Sequence, residues 1–312
     1  MTAIDPQLGA LTQAMPALPK LRSLPTRRRA LWKEMVDAVA VVVNRSFDRL
    51  AFARAAYRKV LAGTEFTSLD HPVVGQPGLD GLRIAFLTDL HVGSYLDEAG
   101  LLELCERVVA LEPDLICLGG DLINSRAEEL QLLDAPMRAL RAPLGVFAVP
   151  GNHDHRWAAD MGEWQDFLEH RGVQVIVNRG VRVRRGGSSL WLCGVDDLTD
   201  GQPDVAAALR GRAEGEPCVM LAHQPDHFVE AREHGVDLVL SGHTHGGQVR
   251  FFGWTPVAHT RHGYVAGGFE AERGRLYVSR GVGATILPLR IGARPEIPVI
   301  RLRSSTARPN SS

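Results

Sequence analysis

Five times between Ile84 and His245, an apolar run of strand length stops on a carboxylate, an amide or an imidazole. "IAFLT" leads to Asp89, Leu90 and His91, "LICLGG" to Asp121, and "VFAVPG" to Asn152, His153 and Asp154. "CVMLA" leads to His223, and "LVLSG" to His243 and His245. Helical periodicity follows each of the first three runs, near residues 97–111, 126–141 and 160–171. Strand and helix in alternation make a layered α/β domain. In such domains sites form outside the carboxyl ends of the strands, so these polar groups converge on one rim. The stretch "VQVIVNRGVRVRRGGSSLWLCGVDD" reads as short strands and hairpins, and "GRLYVSRGVG" and "EIPVIRLR" add strands towards the C-terminus.

Residue type then sets the chemistry. Two aspartates, an asparagine and four or five histidines suit borderline divalent metals (Mn, Fe, Zn or Co), and the lack of thiolates argues against a structural zinc site. Seven ligating groups exceed what one tetrahedral ion needs. Two octahedral-like ions sharing a carboxylate would use them, as a clamp about 3.5–4 Å wide for in-line displacement at phosphorus by a bridging hydroxide. Each piece alone has a plainer explanation. A D-x-H can hold a buried structural histidine, and Asn152 or Asp154 can cap a helix. The G-H-x-H loop is more specific, because alternate residues of an extended chain point the same way. Gly246 and Gly247 allow a tight turn after it.

The ordered set "DLH", "GGD", "GNHD", "AHQPD" and "GHTH" resembles the calcineurin-like metallophosphoesterase superfamily. "GVDD", "SGHTHGGQ" and "LYVSRGVG…LPLRIGARPEI" are similar to its bacterial YkuE/YaeI-type branch, over roughly residues 80–303. The resemblance implies a four-layer α-β-β-α sandwich with two mixed sheets. It also implies that Asp89, His91 and His245 hold one metal, that Asn152, His223 and His243 hold a second, and that Asp121 bridges them. His153 would face the scissile phosphate, and Asp154 would hydrogen-bond and orient its imidazole. The expected activity is hydrolysis of a phosphodiester or pyrophosphate bond. The branch includes UDP-2,3-diacylglucosamine pyrophosphatases, so a lipid-linked nucleotide is one expected substrate. A phosphomonoesterase or phosphodiesterase of unrelated substrate, and a non-catalytic metal-containing scaffold, stay open.

Around this set, Arg280 in "SRGVG" is a candidate phosphate ligand or a structural ion pair. His155 and His262 are candidate substrate contacts, the latter in the glycine-rich "VAHTRHGYVAGG" near the site mouth. Asp196 and Asp197 cap a turn or orient a ligating histidine. Trp191 reads as core, as do Cys105, Cys117, Cys193 and Cys218, which form no C-x-x-C pair and suit a reducing compartment.

Residues 1–19 and 304–312 read as disordered tails, 20–80 as a basic helical arm and linker, and 81–303 as the catalytic domain. Residues 20–62 carry eleven basic against three acidic side chains, and their apolar residues recur at helical spacing. That arm either lies on an anionic membrane surface or packs on the domain. The whole chain has formal net charge −1, so no specific nucleic acid is expected. "RRALWK" suggests a degenerate twin-arginine export signal, but Glu34 and Asp37 interrupt the apolar region. The expected location is the cytoplasm, peripheral at the inner membrane face if the arm binds there. No apolar run reaches the roughly 20 residues of a transmembrane helix.

Overall fold

The computed structural model describes residues 51–248, 260–285 and 287–305. Its elements run α1 (Ala51–Ala62), β1 (Glu65–Val74), β2 (Arg83–Leu87), α2 (Glu98–Val109), β3 (Leu115–Leu118), α3 (Asp134–Ala139), β4 (Val146–Ala148), α4 (Asn152–Trp157), α5 (Met161–Glu169), β5 (Val173–Val175), β6 (Arg179–Arg185) and β7 (Ser188–Gly194). They continue as α6 (Val205–Ala208), β8 (Cys218–Leu221), α7 (Phe228–Glu233), β9 (Leu238–Ser241), β10 (Gly267–Glu270), β11 (Arg275–Val278) and β12 (Glu296–Ser305).

The strands form two six-stranded sheets, ordered β1-β12-β2-β3-β4-β5 and β10-β11-β9-β8-β7-β6. Both are mixed: β12 runs antiparallel to β2, β10 to β11 and β6 to β7, while the other pairs are parallel. Side chains alternate across a strand, and the apolar runs therefore feed two cores at once. Ile84 and Phe86 of β2 meet Leu192 of β7, Leu221 of β8 and Leu240 of β9 between the sheets. Ala85 and Leu87 face the opposite way, beneath Leu101, Cys105 and Val108 of α2 and Trp164 and Leu168 of α5. On the second sheet Trp191, Cys193, Cys218, Met220 and Val239 pack under α6 and α7. This is the expected four-layer α-β-β-α sandwich. Its central strands lack polar alternation because both of their faces are buried. All four cysteines are buried free thiols, and Trp191 is core, with its indole N–H donated to Ala208 O at 3.0 Å.

The domain starts earlier than the expected residue 81. β1 pairs in parallel with β12 along ten residues, from Glu65–Glu296 to Val74–Ser305. It went unread because "EFTSLDHPVV" is half polar and contains a proline. Pro72 is tolerated because β1 is an edge strand with one neighbour. β12 likewise runs to Ser305, past the expected start of the tail at 304. Of the basic arm, only α1 lies among the described residues. There Ala53, Tyr57 and Leu61, spaced four apart, are buried against the first sheet's outer face. The membrane reading of residues 20–50, the export signal and the N-terminal tail lie outside the described residues.

Candidate metal centre

Each polar group follows the carboxyl end of a central strand. Asp89 and His91 follow β2, Asp121 follows β3, Asn152 opens α4 after β4, His223 follows β8, and His243 and His245 follow β9. The first sheet thus supplies four of the seven groups and the second sheet three. Ligand atoms of Asp89, His91 and His245 lie within 4.8 Å of one another, as do those of Asp121, His223 and His243, and those of His91, Asp121 and His153. Asp121 belongs to two of these groups. The second nitrogen of His223 is fixed by Gly119 O at 2.8 Å, which aims Nε2 at Asp121 Oδ2, 3.2 Å away.

The backbone is bent to make this convergence. Asp89, His91, Asp121, His243 and His245 all have φ between 45° and 69°, a left-handed conformation that L-residues avoid. Glycines clear the approaches. A Cβ on Gly242 would run into the Asp89 carboxylate and Thr88, and one on Gly151 into the Asp121 carboxylate.

The donor set fits divalent cations. His91 Nδ1 and Asn152 Oδ1 are buried without any hydrogen-bond partner. Imidazole nitrogens oppose each other at 3.1 Å (His91 and His245) and 3.2 Å (His223 and His243). Burial keeps His91 and His245 well below the usual imidazole range, and neutral imidazole is the metal-binding form. Burial also pushes Asp89 up to about 6. Burial opposes the charges of Asp121 and His223 too, yet they hold each other as an ion pair. Asp121 is drawn well below its usual range and His223 raised to about 10. A cation held there would take the place of that proton and compensate both buried carboxylates.

One expected contact is replaced by others. Asp154 does not hold the imidazole of His153. Its Oδ1 accepts the N–H groups of Leu122 and Ile123 at 3.0 and 3.2 Å, and its Oδ2 that of Gly151 at 2.9 Å. It therefore buckles the Asp121 loop to the start of α4. His153 Nδ1 lies 2.5 Å from Asn124 O, and a carbonyl only accepts, so Nδ1 carries the hydrogen and Nε2 is the free nitrogen. Arg280 donates to Glu296 at 2.9 Å and Glu65 at 2.7 Å, the structural ion pair that was one of its two expected roles.

His155 pairs with Asp196 at 2.6 Å, and that hydrogen bond raises its pKa. Asp197 both caps its turn, through Thr199 N–H and Asp200 N–H at 2.8 Å, and accepts from Gln224, the neighbour of His223. His262 is exposed, with its ring 5.8 Å from Tyr264. Val265 of that segment accepts the Thr244 hydroxyl, so the segment is tied to the G-H-x-H loop through its backbone. His259 lies outside the described residues.

Arg290 was missed. Its guanidinium reaches His245 Nδ1 at 3.1 Å and Gly283 O at 2.9 Å. The available signal was the "LPLR" stretch, whose arginine has no apolar strand before it to advertise a rim position.

The calcineurin-like phosphoesterase family matches residues 82–247, from the start of β2 to the turn after His245. The chain belongs to this family. The metallophosphoesterase YkuE of Bacillus subtilis is 30% identical over 283 residues, 89% of this chain and 98% of YkuE. A Bos taurus protein named "Transmembrane protein with metallophosphoesterase domain" is 31% identical over 310 residues, 94% of this phosphoesterase and 66% of the bovine protein. A Helicobacter pylori metallophosphoesterase is 36% identical over 228 residues, 71% of this chain and 60% of that one. The phosphoesterase therefore spans nearly all of YkuE but under two thirds of the other two. Among solved structures, a 5'-nucleotidase precursor from Thermus thermophilus superposes with TM-score 0.43 at 16% identity, over 65% of this chain and 49% of that one. Among the described residues, no helix is long and apolar enough to cross a membrane.

Proposed function

We propose that this phosphoesterase hydrolyses a phosphodiester or pyrophosphate bond at two divalent cations. Asp89, His91 and His245 would hold one and Asn152, His223 and His243 the other, with Asp121 shared. The observation that carries this reading is that Asp121 joins two groups of closely spaced ligand atoms drawn from both sheets. When bound, the ions supply Lewis acidity at the phosphoryl oxygens and lower the pKa of the water that attacks.

The chain's own residues do the rest. His153, held through Nδ1 by Asn124 O, presents its imidazole beside His91 and Asp121. Protonated there, it donates to a phosphoryl oxygen or to the departing oxygen. Asp154 keeps the Asp121 loop and α4 in register. Purified protein loaded with Mn²⁺ or Co²⁺ should cleave bis-p-nitrophenyl phosphate, and His153→Ala and Asp121→Ala should each reduce the rate at least a hundredfold. Inertness of the loaded wild type towards phosphodiesters, pyrophosphates and monoesters would sink the reading.

A second observation favours an acylated substrate. Among the described residues five large hydrophobic side chains are exposed. Four of them, Leu198, Leu287, Leu289 and Ile291, sit on loops of the ligand-bearing rim. Leu198 N–H bonds Gln224, beside His223, and Ile291 N–H bonds Gln248, which follows the G-H-x-H turn. Apolar groups at the mouth of a phosphate site match a lipid-linked nucleotide. Leu289→Asn with Ile291→Asn should raise KM for a diacylated nucleotide diphosphate at least fivefold and leave the deacylated analogue unchanged. Equal effects on both substrates would remove the acyl argument and leave a phosphodiesterase of water-soluble esters.

A further inference from the structure

We infer that Arg290 is a positioning residue for one half of the metal centre, and that α1 buttresses it through Tyr57. The inference rests on the assignment of Asp89, His91 and His245 to one ion.

The guanidinium of Arg290 is saturated by one small region. Nε donates to Gly283 O at 2.9 Å, and Nη2 donates to the same carbonyl. Nη1 donates to Arg280 O at 2.6 Å and, more weakly, to His245 O and Ala293 O at 3.4 Å each. Nη2 also lies 3.1 Å from His245 Nδ1. One planar cation thus holds the His245 carbonyl and packs against the edge of its ring. It also ties the G-H-x-H loop to the Arg280–Gly283 loop.

That second loop leads directly to another ligand. Gly283 N–H donates to Asp89 O at 2.6 Å, and a Cβ on Gly281 would collide with the Asp89 side chain. Arg290 therefore bears on His245 directly and on Asp89 through one residue. These bonds fall directly on Asp89, His245 and their loops, and His243 is reached only through its N–H bonds to the Asp89 carboxylate at 3.0 and 3.1 Å. Only arginine offers five donors in a fixed plane; lysine has three donors on one atom and cannot span Gly283 O, Arg280 O and His245 together.

The buttress comes from the helix that ends the basic arm. Tyr57 is fully buried, and its hydroxyl donates to Val282 O at 2.5 Å, one peptide from the carbonyl that takes two of the Arg290 donors. Its ring lies 6.0 Å from Tyr95. A ligating histidine is usually held by an acceptor for its second N–H. Here the neighbour of His245 is a permanent donor, so shape and saturation of the carbonyls, more than a shared proton, hold the ring in place.

The test uses the full chain, stripped with a chelator and titrated with Mn²⁺ by calorimetry, with bound metal counted by elemental analysis. Wild type should bind two ions. Arg290→Gln should weaken one step at least tenfold and leave the other within twofold. The weakened step should be the one abolished by His245→Ala and not the one abolished by His223→Ala. Arg290→Lys should recover only part of the loss, and Tyr57→Phe should weaken the same step by a few-fold. If Arg290→Gln does not fold, Arg290→Lys and Tyr57→Phe carry the same asymmetric signature. Equal loss at both steps in parallel with melting temperature, or no loss at either, overturns the inference while the metal centre stands. A wild type that binds fewer than two ions overturns the assignment of the centre and this inference with it.

Discussion

Five of the seven candidate ligands hold a backbone conformation that costs an L-residue roughly 1 kcal/mol or more, so the rim stores strain that the rest of the fold sustains. The glycines around them are a matched device. Gly242→Ala should weaken metal binding at least tenfold, because its Cβ competes with the Asp89 carboxylate for the same space. A Gly242→Ala protein with unchanged metal affinity in a titration would contradict that packing. Asp154 gives a second residue-scale prediction. Replacing its carboxylate with an amide loses N–H bonds to a charged acceptor, each worth about 1.5–3 kcal/mol. Asp154→Asn should therefore lower stability in urea and lower kcat. It should leave the shape of the pH–rate profile as in wild type, because His153 bonds Asn124 O. A profile displaced by a full pH unit would restore an Asp154–imidazole contact. At this scale the sequence made residue types legible, since Asp89 through His245 stand where apolar runs end. Hydrogen-bond partners were not, because Asn124 acts through a carbonyl that any residue has, and Asp154 through loop N–H groups that carry no side-chain signature.

β1 shows why elements differ in legibility. β2, β3, β8 and β9 are buried on both faces and announce themselves as apolar runs. β1 is an edge strand with one covered face, and its inward residues include Glu65, Thr67 and His71. His71 is 3% exposed, with neither ring nitrogen bonded, and burial lowers its pKa to about 4. The folded state therefore binds fewer protons than the unfolded chain. The stability this gives is complete above about pH 6.5 and is lost as pH falls from there towards 4, amounting to about 3 kcal/mol. His71→Leu should flatten the urea midpoint over that window. An unchanged slope would show that other groups dominate acid unfolding. A chain begun at residue 81 strips β12 of its ten-residue partner and exposes Ile297 and Ile300. It should express insolubly or melt far below a chain begun at residue 40, as circular dichroism would read.

Across the whole molecule, the centre draws Asp89, His91, Asp121 and Asn152 from one sheet and His223, His243 and His245 from the other. Ions bound there fasten the sandwich across its central core. Binding to the folded state alone adds about 2.7 kcal/mol at a metal concentration a hundred times Kd, so chelation should lower the melting temperature by roughly 5–10 °C. Indifference to chelator in differential scanning fluorimetry would mean that the ligands do not bridge the sheets through metal. Layering was legible at this scale because strand and helix alternate. The pairing of β1 with β12 was not, because it joins segments more than 200 residues apart and no local pattern encodes so distant a neighbour.

That pairing also sets a schedule for the ribosome. At about 5–20 residues per second, β1 leaves the exit tunnel roughly ten to fifty seconds before the β12 that completes its sheet. Over that interval all the candidate metal ligands are synthesised, while β1 and β2 both lack the strand that separates them. The nascent chain spends its synthesis with two open edges, and a chaperone that shields extended apolar segments has its longest opportunity there.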